Sequence, residues 1–375
     1  MSYIFRQIDD TYVVWFAPAN RYMQLQYPAF RILKDWTSKL PEIQIIRNCA
    51  NEFKLRIGDA RRFVLQVTNQ LQSLVSGYKE DKIVGVCNEA YPLPDPGTSS
   101  TKNYRINGKN FRFRYSDADL EELIHPGFGY LENEIYEAKA DHSFDLYNSG
   151  NQAILQTDGQ TTWTCPDSKP EYFIGLVNMQ LMNCLHNTTD AHWMGAVHAS
   201  AVSAGNGAVL FTAPSGSGKS TFAALLMNQG YQVLSDDFSP VSVNHAKVYP
   251  FPEGLSVKNR SLQALQSYFP SLGETGHSLP DDVREVFLPI TNGELPAPAP
   301  VKAIVFLQYD TTVDMELIKI PNLNAMDRFL QQLWLPPKPE VAASFMDWYF
   351  QIPCYSLKYS DTTKATESLS KLFNP

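Results

Sequence analysis

The chain reads as an α/β phosphate-loop domain carrying a β-rich extension, preceded by a small α+β domain. Three observations predict this. A strand-like apolar run ends in a glycine-bent, lysine-bearing turn and a helix follows at once, the arrangement that cradles phosphates. Period-two alternation recurs across residues 104–164 and marks them as strands. A strand–strand–strand–helix–helix order fills residues 1–78, enough for an independent small domain. The expected division is therefore a domain over 1–80, a linker over 81–103 and a second domain over 104–375.

Length and composition agree. At roughly 150 residues per domain, a chain of 375 residues allows two or three domains. An apolar share of 44% leaves ample material for cores and excludes whole-chain disorder. A net charge of −8 argues against a general nucleic-acid binder. Residues 1–80 nevertheless carry 11 Lys/Arg against 7 Asp/Glu, so the remainder is strongly acidic. The opening residues lack a basic stretch followed by an apolar one, and no apolar run reaches membrane-spanning length. The five cysteines have no C-x-x-C spacing, which fits reduced thiols of a cytoplasmic protein and not a disulfide framework or zinc site.

In the first domain, β-prone runs over 4–8, 12–16 and 22–26 are separated by Asp9-Asp10 and Pro18-Ala19-Asn20, both turn-like. Pro28 suits the first turn of a helix through Phe30, Leu33 and Trp36. Asp59 is an expected N-cap for a helix whose apolar face is Ala60, Phe63, Val64, Val67, Leu71 and Leu74. Residues 87–103 are rich in Pro, Gly, Ser and Asn and read as a loop. Strands over 104–115 (around Asn107-Gly108), 143–147, 153–157 and 161–164 read as antiparallel hairpins, with Arg112 and Arg114 on a solvated outer face. A helix over 171–185 then precedes strands over 194–202 and 208–212. Cys184 and His186 read as core and cap residues at its end. Further on, 301–309 reads as a buried strand, 334–339 as a loop, 354–359 as a strand, and a short helix follows Asp361.

The sharpest signal is Ala213-Pro214-Ser215-Gly216-Ser217-Gly218-Lys219-Ser220-Thr221. Gly216 and Gly218 allow backbone conformations that turn N–H groups inward as an anion nest. The following helix adds its positive end. Lys219 has the reach for β- and γ-phosphates, and the Ser220 hydroxyl is a Mg²⁺ ligand in such loops. Ser215, Ser217 and Thr221 complete the expected nucleotide-binding set. Ala213 stands where glycine is usual, which costs nothing provided its φ is negative.

A short apolar strand then ends in Ser235-Asp236-Asp237, where a nucleotide-binding sheet places its metal ligand and base. Upstream, His198 interrupts an apolar strand; a histidine so placed is more often structural. Together these pieces resemble the C-terminal catalytic domain of the HPr kinase/phosphorylase family and its relatives. The matching segments are Val197-His198-Ala199, the loop 213–221 and Leu234-Ser235-Asp236-Asp237. His198 lies 22 residues before Ser220 and Asp237 lies 17 after it, spacings similar to the family's. The resemblance covers 105–375 and is dense over 195–240.

That resemblance implies Mg·ATP-dependent phosphorylation of a hydroxyl, typically Ser, on a peptide or protein. It makes Asp237 the general base, Asp236 the carboxylate at the metal, Lys219 the stabiliser of the transferring phosphoryl, and His198 a support for the base. Glu253 stands near where the family carries a further metal ligand, and Lys258 near a phosphate contact. Both departures leave a dephosphorylating half-reaction open, and ordinary loop charges are the commoner reading of each.

Residues 1–78 resemble the small winged-helix PqqD-type domains that recognise precursor peptides, in element order and without a diagnostic motif. That resemblance implies a leader peptide adding a strand to the sheet edge. The excess positive charge suits an acidic leader. A purely structural domain, a kinase of free serine or another small molecule, and a non-catalytic nucleotide-binding regulator are the competing readings. The family's tendency to assemble and the aromatic content leave a homo-oligomer open.

Overall fold

In the computed structural model, residues 2–77, 85–87, 100–133, 139–159, 161–214, 216–244, 246–270, 272, 277–279 and 283–373 are described. They form a mixed α/β protein with several sheets. The chain divides into two compact units, Met1–Asp81 with Leu335–Gln351, and Lys82–Trp334 with Ile352–Pro375.

The first unit opens with an antiparallel meander of β1 (Tyr3–Ile8), β2 (Thr11–Phe16) and β3 (Arg21–Gln26). Its apolar residues turn inward onto α1 (Tyr27–Thr37), α2 (Glu42–Phe53) and α3 (Ile57–Gly77), with Val14, Phe16, Leu33, Ile45 and Val64 in one core. Pro28 does occupy the first turn of α1. Helix α2 is an addition to the sequence reading; its buried Ile45, Ile46, Cys49 and Ala50 show the three-and-four spacing of an amphipathic helix. Asp59 is not the N-cap of α3 but lies inside its first turn, paired with Arg62 at 2.5 Å. A further helix, Pro339–Tyr349, belongs to this unit although the sequence reading assigned it to 104–375. Phe345 meets the Tyr22 ring edge-on at 5.3 Å, and Asp347 receives both Nε and Nη2 of Arg6 at 2.6 and 2.7 Å.

The second unit begins with a six-stranded sheet ordered β4-β9-β8-β7-β6-β5, made from β4 (Gly85–Cys87), β5 (Ser100–Ile106), β6 (Lys109–Tyr115), β7 (His142–Ser149), β8 (Gln152–Thr157) and β9 (Thr161–Pro166). Two of these strands, β4 and the start of β5, fall within the span expected to be linker; the rest of 88–99 lies outside the described residues. The hairpin expectation fails at one point. β6 and β7 run parallel, because α4 (Ala118–Phe128), capped by Asp117, carries the chain across between them. Arg114 is not a free surface charge either: it grips the buried Asp145 through Nε and Nη2.

After α5 (Pro170–His186) come β10 (Trp193–Val197), β11 (Ala199–Ser203), β12 (Ala208–Thr212), α6 (Lys219–Asn228), β13 (Gln232–Ser235), β14 (Ser239–Ser242) and β15 (Lys247–Val248). A small sheet of β16 (Leu255–Lys258), β17 (His277–Leu279) and β18 (Val283–Leu288) follows, with α7 (Asn259–Gln266) after β16. The chain then supplies β19 (Ala299–Tyr309), β20 (Met315–Ile320), α8 (Asn322–Leu330), β21 (Leu333–Trp334), the first-unit helix α9 (Pro339–Tyr349), β22 (Cys354–Tyr359), α10 (Thr362–Ser368) and α11 (Ser370–Phe373). The larger sheet has ten strands, in the order β13-β11-β12-β19-β15-β14-β10-β21, with β22 also on β19 and β20 on β22. No described helix is long and apolar enough to cross a membrane.

Candidate functional site

The strand expected over 194–202 is two strands, broken at His198. β10 pairs with β14 and β21, whereas β11 pairs with β12 and β13. The break lets one short segment serve two stretches of sheet and leaves the His198 side chain half-exposed between them. Its amide is held by the Gln332 carbonyl at 2.7 Å.

β12 is buried throughout and delivers the chain to the loop at Ala213, itself 3% exposed. Ala213 stays outside the left-handed region, so its Cβ costs nothing there. Gly216 and Gly218 have φ of 78° and 90°, conformations that strain any residue with a Cβ. Ser217 N–H closes the turn onto the Pro214 carbonyl at 3.2 Å. Gly218 caps α6 without a side-chain hydrogen bond, leaving the positive end of the helix to whatever the loop encloses. Ser215 lies outside the described residues. The Thr221 hydroxyl donates to Ser261 Oγ at 2.7 Å, so its side chain ties α6 to α7.

Lys219 is the first residue of α6 and is 5% exposed. Its ammonium stands 3.1 Å from His198 Nε2, 3.2 Å from the Ala213 carbonyl and 3.5 Å from Asp237 Oδ1. An ammonium only donates, so His198 accepts at Nε2 and carries its proton on Nδ1. Nδ1–H then donates to the Asp237 carbonyl at 3.2 Å, with Asp237 Oδ1 3.6 Å away. Asp237 itself has a φ of 55°, a strained conformation for a residue with a Cβ. Its Oδ1 is buried and finds no hydrogen-bond partner among the described residues. The side chain as a whole is 42% exposed, so Oδ1 faces inward to the ammonium while the rest of the carboxylate is open to a ligand.

Asp236 points the other way, into the protein, and is 1% exposed. Burial, and then the charge of Asp237, push its carboxyl well above the usual range. Hydrogen bonds from Ser200 and Ser220, and the Lys219 charge, act against that rise. Ser200 Oγ donates to Oδ1, and the Ser256 amide approaches Oδ2 at 3.4 Å. Ser200 is the residue that sequence reasoning passed over. The signal was present, since a hydroxyl two positions after His198 in an apolar strand has to find a buried partner.

The geometry thus joins His198, Lys219, Asp236, Asp237 and Ser220 from three separated segments. It does not gather Glu253 with them in a cage: among the described residues no group of three or more His, Cys, Asp or Glu side chains has metal-holding geometry. Glu253 lies against Gly127 and accepts from Asn178 Nδ2 at 3.4 Å. Lys258 is exposed at the end of β16. The Ser220 and Asp236 oxygens still fit Mg²⁺, which typically takes one or two carboxylates and fills its shell with water and phosphate. No family model matches the chain, and no curated protein matches it in sequence.

Proposed function

We propose that the protein is a Mg·ATP-dependent phosphotransferase whose acceptor is a hydroxyl, a serine of a peptide or protein. The observation that carries this reading is the convergence of Asp237, His198 and Lys219 within 3.1–3.6 Å at the mouth of the glycine-bent loop. Phosphoryl transfer asks for alignment and charge neutralisation, and needs little covalent chemistry from the protein. Lys219, held at the first turn of α6, neutralises the oxygens of the transferring group. The Asp237 carboxylate, half-exposed at that mouth, takes the proton of the acceptor hydroxyl. His198 fixes Asp237 through its carbonyl and Lys219 through Nε2, so base and ammonium keep one spacing. Ser220 and Asp236 would hold Mg²⁺, whose part is to draw charge from the phosphate oxygens.

The peptide part of the reading is supported by the first unit. A cavity of about 390 Å³ opens between β3 and α3, lined by Met23, Leu25, Val67, Leu71 and Leu74. β3 pairs on one side only among the described strands, so a peptide strand could be added there with apolar side chains seated against α3.

The test is incubation of the full chain with Mg·ATP and a candidate leader-bearing peptide, read by mass spectrometry. A gain of one phosphate on a hydroxyl, lost with Lys219→Ala, is the expected result. Transfer by the Lys219→Ala protein at the wild-type rate would refute the assignment. Leu74→Asp in the groove should raise the peptide KM while leaving the ATP KM unchanged. An unchanged peptide KM would return the first unit to a structural role.

A further inference from the structure

Three neighbouring strands of the large sheet, β12, β19 and β22, run parallel, so their carboxyl ends share one edge with the phosphate loop. Along β19, Ala303, Val305 and Leu307 alternate onto one face and pack in the core that also holds Phe222, Ala223 and Leu226 of α6. Tyr309 is next in that alternation, on the same face as α6 but past the end of the core, and is 57% exposed. Its register partner on β22, Tyr359, is buried against Phe222 with ring centroids 5.2 Å apart. The Tyr359 hydroxyl lies 3.5 Å from where a Cβ on Gly218 would stand, which puts it at the loop backbone. Tyr309 meets the Tyr359 ring edge-on, at 5.7 Å and 83°, so its own ring remains open to solvent. An aromatic step therefore leads from the first turn of α6 outward along the carboxyl edge of the sheet.

A triphosphate seated on the loop must send its sugar and base outward, and in open α/β sheets ligands lie in the crevice beyond the carboxyl ends of the strands. We propose that Tyr309 is the platform on which the adenine of that nucleotide stacks, with Tyr359 fixing the ring's place relative to Gly218. This rests on the nucleotide part of the reading above and is independent of the acceptor. Stacking of a base on an aromatic side chain is tolerant of sequence context and needs only an accessible π-face at the right place. Tyr309 supplies one at the end where it is required.

The experiment compares binding of a non-hydrolysable ATP analogue with binding of inorganic tripolyphosphate, each with Mg²⁺, by titration calorimetry. Tyr309→Ala should weaken the analogue by about tenfold, within the span measured for base–aromatic stacking, and leave tripolyphosphate unchanged. Tyr309→Phe should restore the wild-type affinity. Equal weakening of both ligands would mean a disturbed loop and would overturn the proposal, as would unaltered analogue binding by Tyr309→Ala. Wild-type protein that binds neither ligand would remove the nucleotide reading itself, a failure distinct from the other two.

Discussion

Asp237 and Asp236 are adjacent carboxylates with opposite circumstances. Asp237 turns an unsatisfied oxygen toward an ammonium at the mouth of the site, whereas Asp236 is sunk beneath two serine hydroxyls. Removing a positioned base typically costs 10²–10⁴ in rate. Asp237→Asn should therefore lower kcat by about that factor, with little change in the ATP KM, in a steady-state assay; undiminished turnover would exclude Asp237 as the base. Ser200→Ala tests the buried partner. It leaves a fully buried carboxyl short of one donor, and should cost about 1–3 kcal/mol, read as a lower urea midpoint for the second unit. At this scale much of the site was legible, because loop chemistry dictates residue types: glycines at positive φ, a lysine and a hydroxyl at the helix start. Glu253 was not, since its partner Asn178 comes from a helix 75 residues away and no local pattern announces the pairing.

Elements were legible where the local pattern sufficed. The runs that became β1, β2, β3, β12 and β22 are short, β-prone or continuously apolar stretches, and α3 repeats its apolar residues at helical spacing. Elements that depend on distant partners were not. Nothing local says that β6 and β7 are parallel or that His198 divides two strands, because pairing decides both. The end of α5 shows how such packing creates a titratable liability. His186 lies among the rings of Trp193 and Tyr249, and burial holds its pKa below the ordinary value, with Lys109 and His192 pushing the same way and the Pro250 carbonyl opposing them. Burial lowers His192 as well. The unfolded chain takes up these protons near pH 6.5, before the folded one does. The stabilisation is complete above that pH and is lost as pH falls below it. Urea midpoints at pH 7.5 and 5.5 should show this drop, and His186→Gln, which keeps a donor for Pro250 but does not titrate, should flatten it. An identical drop in the variant would place the proton uptake elsewhere.

On the scale of the whole molecule, the first unit is completed by a segment some 250 residues downstream of its own last helix, an arrangement that composition and periodicity leave invisible. Val341, Ala342, Phe345, Met346 and Tyr349 of α9 are buried, and α9 meets the meander through Phe345 on Tyr22 and Asp347 on Arg6. Cutting the chain at residue 80 therefore does not remove a domain. It strips α9 of Tyr22 and Arg6, leaving Phe345 and the side of α9 that met the meander against water, where newly exposed apolar surface favours association. Protein lacking residues 1–80 should thus bind a hydrophobic dye strongly and sediment as aggregates. A second truncated protein, in which a short flexible linker also replaces 335–351, should stay monodisperse and keep its affinity for tripolyphosphate, because the phosphate loop and its neighbours Asp236, Asp237 and His198 all lie in the other unit. Comparable behaviour of the two truncated proteins would show that α9 does not need the first meander to cover it, and would return 335–351 to the second unit.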